Sequence, residues 1–256
     1  MPRKPQSQKK KKRLDVTAAG AIPSHVPKRW VKFLVGLFLI PPAWLLTQTF
    51  FTAFARTTLR DEFWITGEFW FFSLGVLLWL VYFFGLPRPL WLYVFGHELT
   101  HAVWVMIMGG KVHEFQVTRN GGHILADRTN TWIALAPYFF PIYSVLVIAI
   151  YGICALFFDV LPYRNFLFCM IGITWAFHFS FTCWMITKGQ PDLHYGGTFF
   201  SLTVIYLLNL VLLAAMLILA SPQVTWAGFG QELLQNTIDF TAQLTLEINR
   251  LVRENL

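Results

Sequence analysis

Charge is what this chain has least of. Only 13% of its 256 residues are Asp, Glu, Lys or Arg, against about 25% in an ordinary soluble domain. A chain so poor in charge and 56% hydrophobic does not have the polar surface of a soluble domain. Apolar runs of about 20 residues recur, the length that crosses a bilayer core, and they describe a multi-pass membrane protein. Cysteine is scarce as well. Cys154, Cys169 and Cys183 are widely spaced, form no Cys-x-x-Cys pair and fall in apolar runs. That excludes a disulfide framework or a thiolate metal site and leaves each cysteine as a small hydrophobe. Internal repeats, a glycine-rich phosphate loop and nucleic-acid motifs are all missing. Glutamate is absent from the whole interval between Glu114 and Glu232.

The charge that is present is unevenly placed. Ten of the 20 Lys and Arg lie within residues 1–32: Arg3, Lys4, Lys9 to Lys12, Arg13, Lys28, Arg29 and Lys32. A basic run ahead of an apolar span reads as a cytoplasmic tail touching anionic lipid rather than as a nucleic-acid patch. The Pro, Gln, Ser and Lys of residues 1–29 point to a disordered segment. The apolar region from Trp30 is too long for a signal peptide and has no clear small-residue cleavage site, so the tail is expected to stay uncleaved.

Against this apolar background, residues 97–101 read His97-Glu98-Leu99-Thr100-His101. Ionisable groups at membrane depth are expensive and mark function. On a helix, His97 and His101 are four apart and share a face, where two imidazole nitrogens can hold one zinc ion. Glu98 is then within reach of a water on that metal as general base. Chance would place His-Glu-x-x-His about once in 200 chains of this composition. The bland alternative is two polar histidines at a helix interface with Glu98 paired to one of them, and unpaired charge in apolar surroundings disfavours it.

Six hydrophobic segments are expected, at about 30–54, 67–86, 89–108, 131–158, 163–187 and 198–220. Pro41-Pro42 should kink or divide the first. The third carries the motif and stops at Gly109-Gly110. Between 111 and 130, Phe115 and Val117 alternate with polar residues, then come Arg119-Asn120-Gly121-Gly122 and His123, a strong hairpin signal. An exposed strand edge beside the motif could hold an extended peptide by main-chain hydrogen bonds; the plainer alternative is a solvated surface hairpin. Beyond Ser221-Pro222, the spacing of Leu233, Leu234, Ile238, Leu244, Ile248 and Leu251 predicts an amphipathic helix at about 231–254, on the membrane or against a partner. The chain thus divides into a basic tail (1–29), a transmembrane domain (30–220) and a C-terminal amphipathic segment (221–256). The fold class is an all-α polytopic membrane protein, with about six transmembrane helices and a small β-hairpin insert after the metal-binding helix.

A catalytic zinc takes three protein ligands and leaves one position for water. A third histidine in the extended His-Glu-x-x-His-x-x-Gly-x-x-His pattern fails, because Trp104 stands at the glycine position. A distant glutamate is disfavoured, since between Glu114 and Glu232 the carboxylates are Asp127, Asp159 and Asp192. Counting crossings puts Asp159 on the face away from the hairpin and returns Asp192 to the hairpin side. Asp192 is therefore the favoured third ligand. His178 and His194 are the alternatives, since imidazole serves zinc as well as carboxylate does, and Asp127 reads as a hairpin surface residue.

Residues 89–200 resemble the site-2 protease family of intramembrane zinc metalloproteases. Three features carry the resemblance: His97-Glu98-Leu99-Thr100-His101 within a membrane helix, the hairpin-like insert followed by Ala134-Leu135-Ala136-Pro137, and Asp192 at the far end of the third core helix. The family's Asn after its Gly-Pro pair is not evident here, where Tyr138-Phe139-Phe140-Pro141 follows Pro137. The family's aspartate is followed by Gly, and here by Leu193. The resemblance implies a divergent member: Zn2+ held by His97, His101 and Asp192, Glu98 as general base, and a membrane-protein substrate cut in or near a membrane-spanning segment.

Sidedness is in tension at this level. Six crossings from a cytoplasmic tail place the hairpin outside, while the resemblance and Lys111, Arg119 and Arg128 favour the cytoplasmic side. A re-entrant turn at Pro41-Pro42 would reconcile them. Two rival functions remain: a non-proteolytic membrane scaffold or pseudoprotease with a structural metal site, and a metal transporter using His97, His101 and Asp192. Transport would call for further ionisable residues along the spans, and only Glu68 and His178 qualify.

Overall fold

The computed structural model describes residues 14–15, 29–59, 64–118, 121–221 and 224–254. Apart from Leu14–Asp15 and Arg29, the basic tail lies outside the described residues, as do Arg60 and the Arg119-Asn120 connection. Within them the chain forms nine α-helices and a small antiparallel sheet: β1 (Leu14–Asp15), α1 (Arg29–Phe38), α2 (Ile40–Leu59), α3 (Gly67–Gly85), α4 (Leu90–Ile107), β2 (Val112–Thr118), β3 (Gly121–Ala126), α5 (Thr131–Phe139), α6 (Ile142–Ala155), α7 (Arg164–Ile186), α8 (Thr198–Ala220) and α9 (Trp226–Glu254).

Among the described residues, four helical stretches are long and apolar enough to cross a membrane: Trp30–Leu59, Gly67–Gly85, Leu161–Ile186 and Thr198–Ala220. A fifth exists if Thr131–Phe139 and Ile142–Ala155, which meet at 74°, count as one span. The expected set of six is not reproduced. The motif helix α4 falls out because His97, Glu98, Thr100 and His101 occupy its centre and lower its apolarity. The fourth expected segment is broken at Phe140-Pro141, where proline cannot donate a helical hydrogen bond. Such a break inside a membrane is tolerable when protein surrounds it, and Ile133 to Phe139 of α5 are all buried.

Pro41-Pro42 produces no reversal. Both prolines lie in the first turn of α2, a place where missing N–H groups cost little, and the Leu39 N–H reaches back to the Val35 carbonyl while the Ala43 N–H reaches Leu39. Trp30–Leu59 therefore runs on as a 30-residue stretch, about 45 Å long at 1.5 Å per residue.

The most extensive helix pair is α3 with α7, which run parallel. Glu68 pairs with Arg164 at one end (3.0 Å) and the Arg88 guanidinium lies over the Trp184 ring at the other (5.0 Å). Two glycines allow this approach. A Cβ at Gly75 would sit 2.1 Å from the Cys169 carbonyl oxygen, and one at Gly172 would sit 2.2 Å from that of Phe72. Small residues at such crossings let backbones touch, which is how helices associate in lipid.

One end of the bundle gathers the starts of α1, α5 and α8 with the ends of α3 and α7. Lys32, near the start of α1, reaches Thr131 Oγ1 (3.4 Å) and the Tyr195 carbonyl (3.5 Å). Both flanks of α4 return to this end. Arg88 precedes it, and Met108 is held by Arg128, which donates to its carbonyl, and by the Asn130 amide at its sulfur. Counting α4 as a full crossing puts the start of α1 and the hairpin at opposite ends; in the structure both flanks of α4 lie at the end where α1 starts.

The expected hairpin is present as β2 and β3, paired from Val112↔Ala126 to Thr118↔Gly121. It lies along α4: Ile124 and Ala126 are fully buried against Ala102, Val105 and Ile133. The sheet has a third strand, since Leu14–Asp15 pairs with the other edge of β3 in the order β1-β3-β2. Leu14 and Asp15 thus pair with the sheet, and the rest of the segment expected to be disordered lies outside the described residues. The C-terminal helix begins earlier than the pattern suggests, at Trp226. Its first half packs on α2 through Phe229, the Arg56–Glu232 ion pair (2.9 Å) and an Asn236–Thr49 hydrogen bond (2.8 Å), and residues 241–254 are exposed throughout.

Candidate metal centre

The motif side chains lie where α4, α5 and the loop after α7 converge. His97, Glu98, Thr100 and His101 are all buried on α4. The helix is drawn in by Gly96, where a Cβ would stand 2.6 Å from the Tyr143 ring, and by the Tyr143 hydroxyl, which donates to the Leu92 carbonyl at 2.6 Å.

Asp192 arrives from a 3-10 turn at Pro191–His194 and is 4% exposed. Its Oδ2 lies 3.1 Å from His97 Nε2 and 3.6 Å from His101 Nε2, and the two Nε2 atoms are 3.2 Å apart. The three atoms form a nearly equilateral triangle, and among the described residues this is the group of His, Cys, Asp and Glu side chains able to hold a metal ion. The other nitrogens are occupied. His101 Nδ1–H donates to the Ile133 carbonyl at 2.8 Å, and His97 Nδ1 meets the Tyr93 hydroxyl at 3.1 Å. With Nδ1–H so engaged, the lone pair of His101 Nε2 faces the triangle, which is the usual preparation of a metal-binding imidazole.

The Ile133 carbonyl is available for a sequence-encoded reason. In an unbroken helix it would accept the N–H four residues on, but that residue is Pro137, inside α5, and proline has no N–H to give. Asn130 caps the same helix, accepting from the Ile133 N–H at 2.9 Å. Tyr138, one residue after the proline, donates its hydroxyl to Asp192 Oδ2 at 3.0 Å. The Asn209 amide of α8 in turn holds the Tyr138 carbonyl at 2.9 Å. The Tyr138 hydroxyl therefore orients the Asp192 carboxylate.

The second carboxylate oxygen, Asp192 Oδ1, is buried with no hydrogen-bond partner among the described residues. A buried carboxylate oxygen left in that state is costly, whereas a cation at the triangle would offset the charge. The donor set, two imidazoles and a carboxylate, suits a divalent transition metal. Glu98 is 3% exposed and lies against β3: a Cβ on Gly122 would be 2.6 Å from Glu98 Cγ. The hairpin and the general-base candidate are thus in direct contact.

The other sequence candidates have separate places. His194 is exposed and contacts Thr198 (3.2 Å). Asp127 accepts the Lys111 N–H, and Asp159 accepts the Leu161 N–H. His178 lines a small cavity beside His97, Thr100 and Pro137 without joining the triangle. Glu68 is engaged by Arg164 at the opposite end of the bundle. Sequence reasoning missed Tyr93, Ile133 and Asn209. Of these only Tyr93 left a signal, four residues before His97 on the same helix face. No protein-family model, curated protein or solved structure matched the chain.

Proposed function

We propose that this chain is an intramembrane zinc metalloprotease of the site-2 protease kind. The observation that carries the reading is the triangle of His97 Nε2, His101 Nε2 and Asp192 Oδ2, with Glu98 next to His97 on the same helix. Its edges of 3.1, 3.2 and 3.6 Å suit three corners of a tetrahedron around zinc, where bonds of 2.0–2.1 Å put ligand atoms about 3.3–3.4 Å apart. Zinc bound there would polarise a scissile carbonyl and bring the pKa of water in its open position towards ~7.

The chain's own residues supply the rest. His101 is held in its ligating tautomer by Ile133, and Asp192 is oriented by Tyr138. The Glu98 carboxylate takes a proton from the attacking water as its oxygen bonds to the carbonyl carbon. As the carbon–nitrogen bond breaks, Glu98 delivers that proton to the leaving amine. The sheet edge beside Glu98 is where an extended peptide would align by main-chain hydrogen bonds.

The same reading assigns orientation. The end that carries the site has Lys32, Arg88, Lys111, Arg128 and Lys188, while the far end has Arg56 and Arg164. By the positive-inside rule the site end is cytoplasmic. In a background without the native cysteines, a membrane-impermeant maleimide added outside should label Phe158→Cys and spare Lys188→Cys; the reverse would reject this orientation.

The enzymatic claim is tested on protein purified in detergent, by zinc content and by cleavage of membrane-spanning peptides. Wild type should hold one zinc and cleave, while Glu98→Gln should hold zinc and lose at least 100-fold in rate, as expected for removal of a general base. Full cleavage by Glu98→Gln would sink the role of Glu98. Zinc without any cleavage would favour the rival reading, a membrane scaffold with a closed structural site, to which the near-complete burial of all three ligands also belongs.

A further inference from the structure

We infer that the cavity between α4, α5 and α7 is a binding site for one water molecule, held between the Tyr93 hydroxyl and His178. Through that water His178 acts as a positioning residue for His97. The inference rests on the proposed reading of His97 as a metal ligand.

His178 lies inside α7 and takes no part in the triangle. Its Nε2 is nonetheless buried without a hydrogen-bond partner among the described residues. The ring lines a cavity of about 20 Å³ together with Tyr93, His97 and Thr100 of α4 and Pro137 of α5. That is room for one water, which is retained in a buried site when it finds about two to four polar partners.

The partners are present, and the metal reading fixes their roles. For His97 Nε2 to offer its lone pair to a cation, the ring must carry its proton on Nδ1. Nδ1–H then donates to the Tyr93 oxygen, 3.1 Å away. The Tyr93 proton needs an acceptor in turn, and among the described residues the hydroxyl bonds only to His97. A water in the cavity accepts from Tyr93 and donates to His178 Nε2, which a neutral imidazole can present as an acceptor. Two residues of the lining carry acceptors for its second hydrogen. The Thr100 hydroxyl directs its own proton to the Gly96 carbonyl at 2.7 Å, so its oxygen can accept. The Pro137 carbonyl would take an N–H from four residues on, but residue 141 is again proline. The line from His97 through Tyr93 and the water to His178 ties one histidine to α7, as the Ile133 carbonyl ties His101 to α5.

The full-length protein purified in detergent is the test system, with zinc as the probe. A crystal structure should show a water within about 3.2 Å of both Tyr93 Oη and His178 Nε2; a cavity without one overturns the inference. In a chelator competition titration, His178→Leu should still bind one zinc per chain, but about tenfold more weakly. His178→Gln, whose amide oxygen can take the same hydrogen bond, should stay within about twofold of the unaltered protein. In a Tyr93→Phe background the line is already cut, and His178→Leu should add less than about twofold. A loss that persists in full in that background, or that His178→Gln shares, assigns His178 to packing alone and overturns the positioning role. Unchanged affinity in His178→Leu overturns it as well. Circular dichroism screens the variants for folding, and His178→Met takes the place of His178→Leu if that protein does not fold. An unaltered protein that holds no zinc overturns the metal reading and the positioning role with it, while the crystal structure still decides the water site.

Discussion

His101 donates Nδ1–H to the Ile133 carbonyl at 2.8 Å, and the acceptor is available because residue 137 is proline. This links a helix-breaking residue to the orientation of a candidate metal ligand on a different helix. Proline inside a helix is ordinarily a cost. Here the missing N–H leaves a backbone acceptor for an imidazole that is fully buried.

Pro137→Ala restores an N–H that competes for the Ile133 carbonyl. The helix should tolerate the change or gain stability, while zinc affinity falls about 10–100-fold, the usual effect of losing a partner to a ligating histidine. A chelator competition titration measures this, and far-ultraviolet circular dichroism should remain unchanged.

The proposed ligand set makes a clean division among the histidines and aspartates. Substituting Ala for His97, His101 or Asp192 should reduce bound zinc from one per chain to near none. His178→Gln and Asp127→Asn should leave one per chain. Metal analysis of the purified variants decides it, and zinc loss from His178→Gln would reassign the third ligand.

Gly122 touches both the general-base candidate and the hairpin. A methyl group there would lie 2.6 Å from Glu98 Cγ and 2.9 Å from the Gln116 carbonyl oxygen. Gly122→Ala should therefore displace Glu98, reducing cleavage by roughly tenfold or more while zinc content stays at one per chain.

Gly75 and Gly172 hold α3 against α7 far from the metal centre. Gly75→Ala pushes a methyl group into the Cys169 carbonyl, for which overpacking typically costs about 1–3 kcal/mol. The thermal midpoint in detergent should fall by several degrees, and zinc affinity should change little in the protein that remains folded.

Much of this was legible along the chain because it depends on local spacing. The membrane class followed from apolar runs, and the shared face of His97 and His101 followed from the helical period. The hairpin followed from Asn120-Gly121 between alternating residues, and its strands form as β2 and β3. The choice of Asp192 rested on eliminating the other carboxylates, and Asp192 does lie with the two histidines. The count of six crossings is not reproduced among the described residues, because a length-and-apolarity reading treats each run as a straight rod. The polar residues of α4 and the 74° bend at Phe140-Pro141 alter how far each run reaches.

Sequence alone determined which residue types were available: two histidines and a glutamate at helical spacing, and a proline in Ala134-Leu135-Ala136-Pro137. Only the tertiary structure decided what those residues do to one another. Asp192 is 95 positions from His97, Tyr138 turns its hydroxyl to that aspartate, and Leu14–Asp15 returns to the edge of β3. Such meetings depend on where helices end and how they cross, quantities set by the packing of the whole chain rather than by any local pattern. The physical reason is that backbone periodicity acts over a few residues, whereas the triangle of His97, His101 and Asp192 closes over the entire fold.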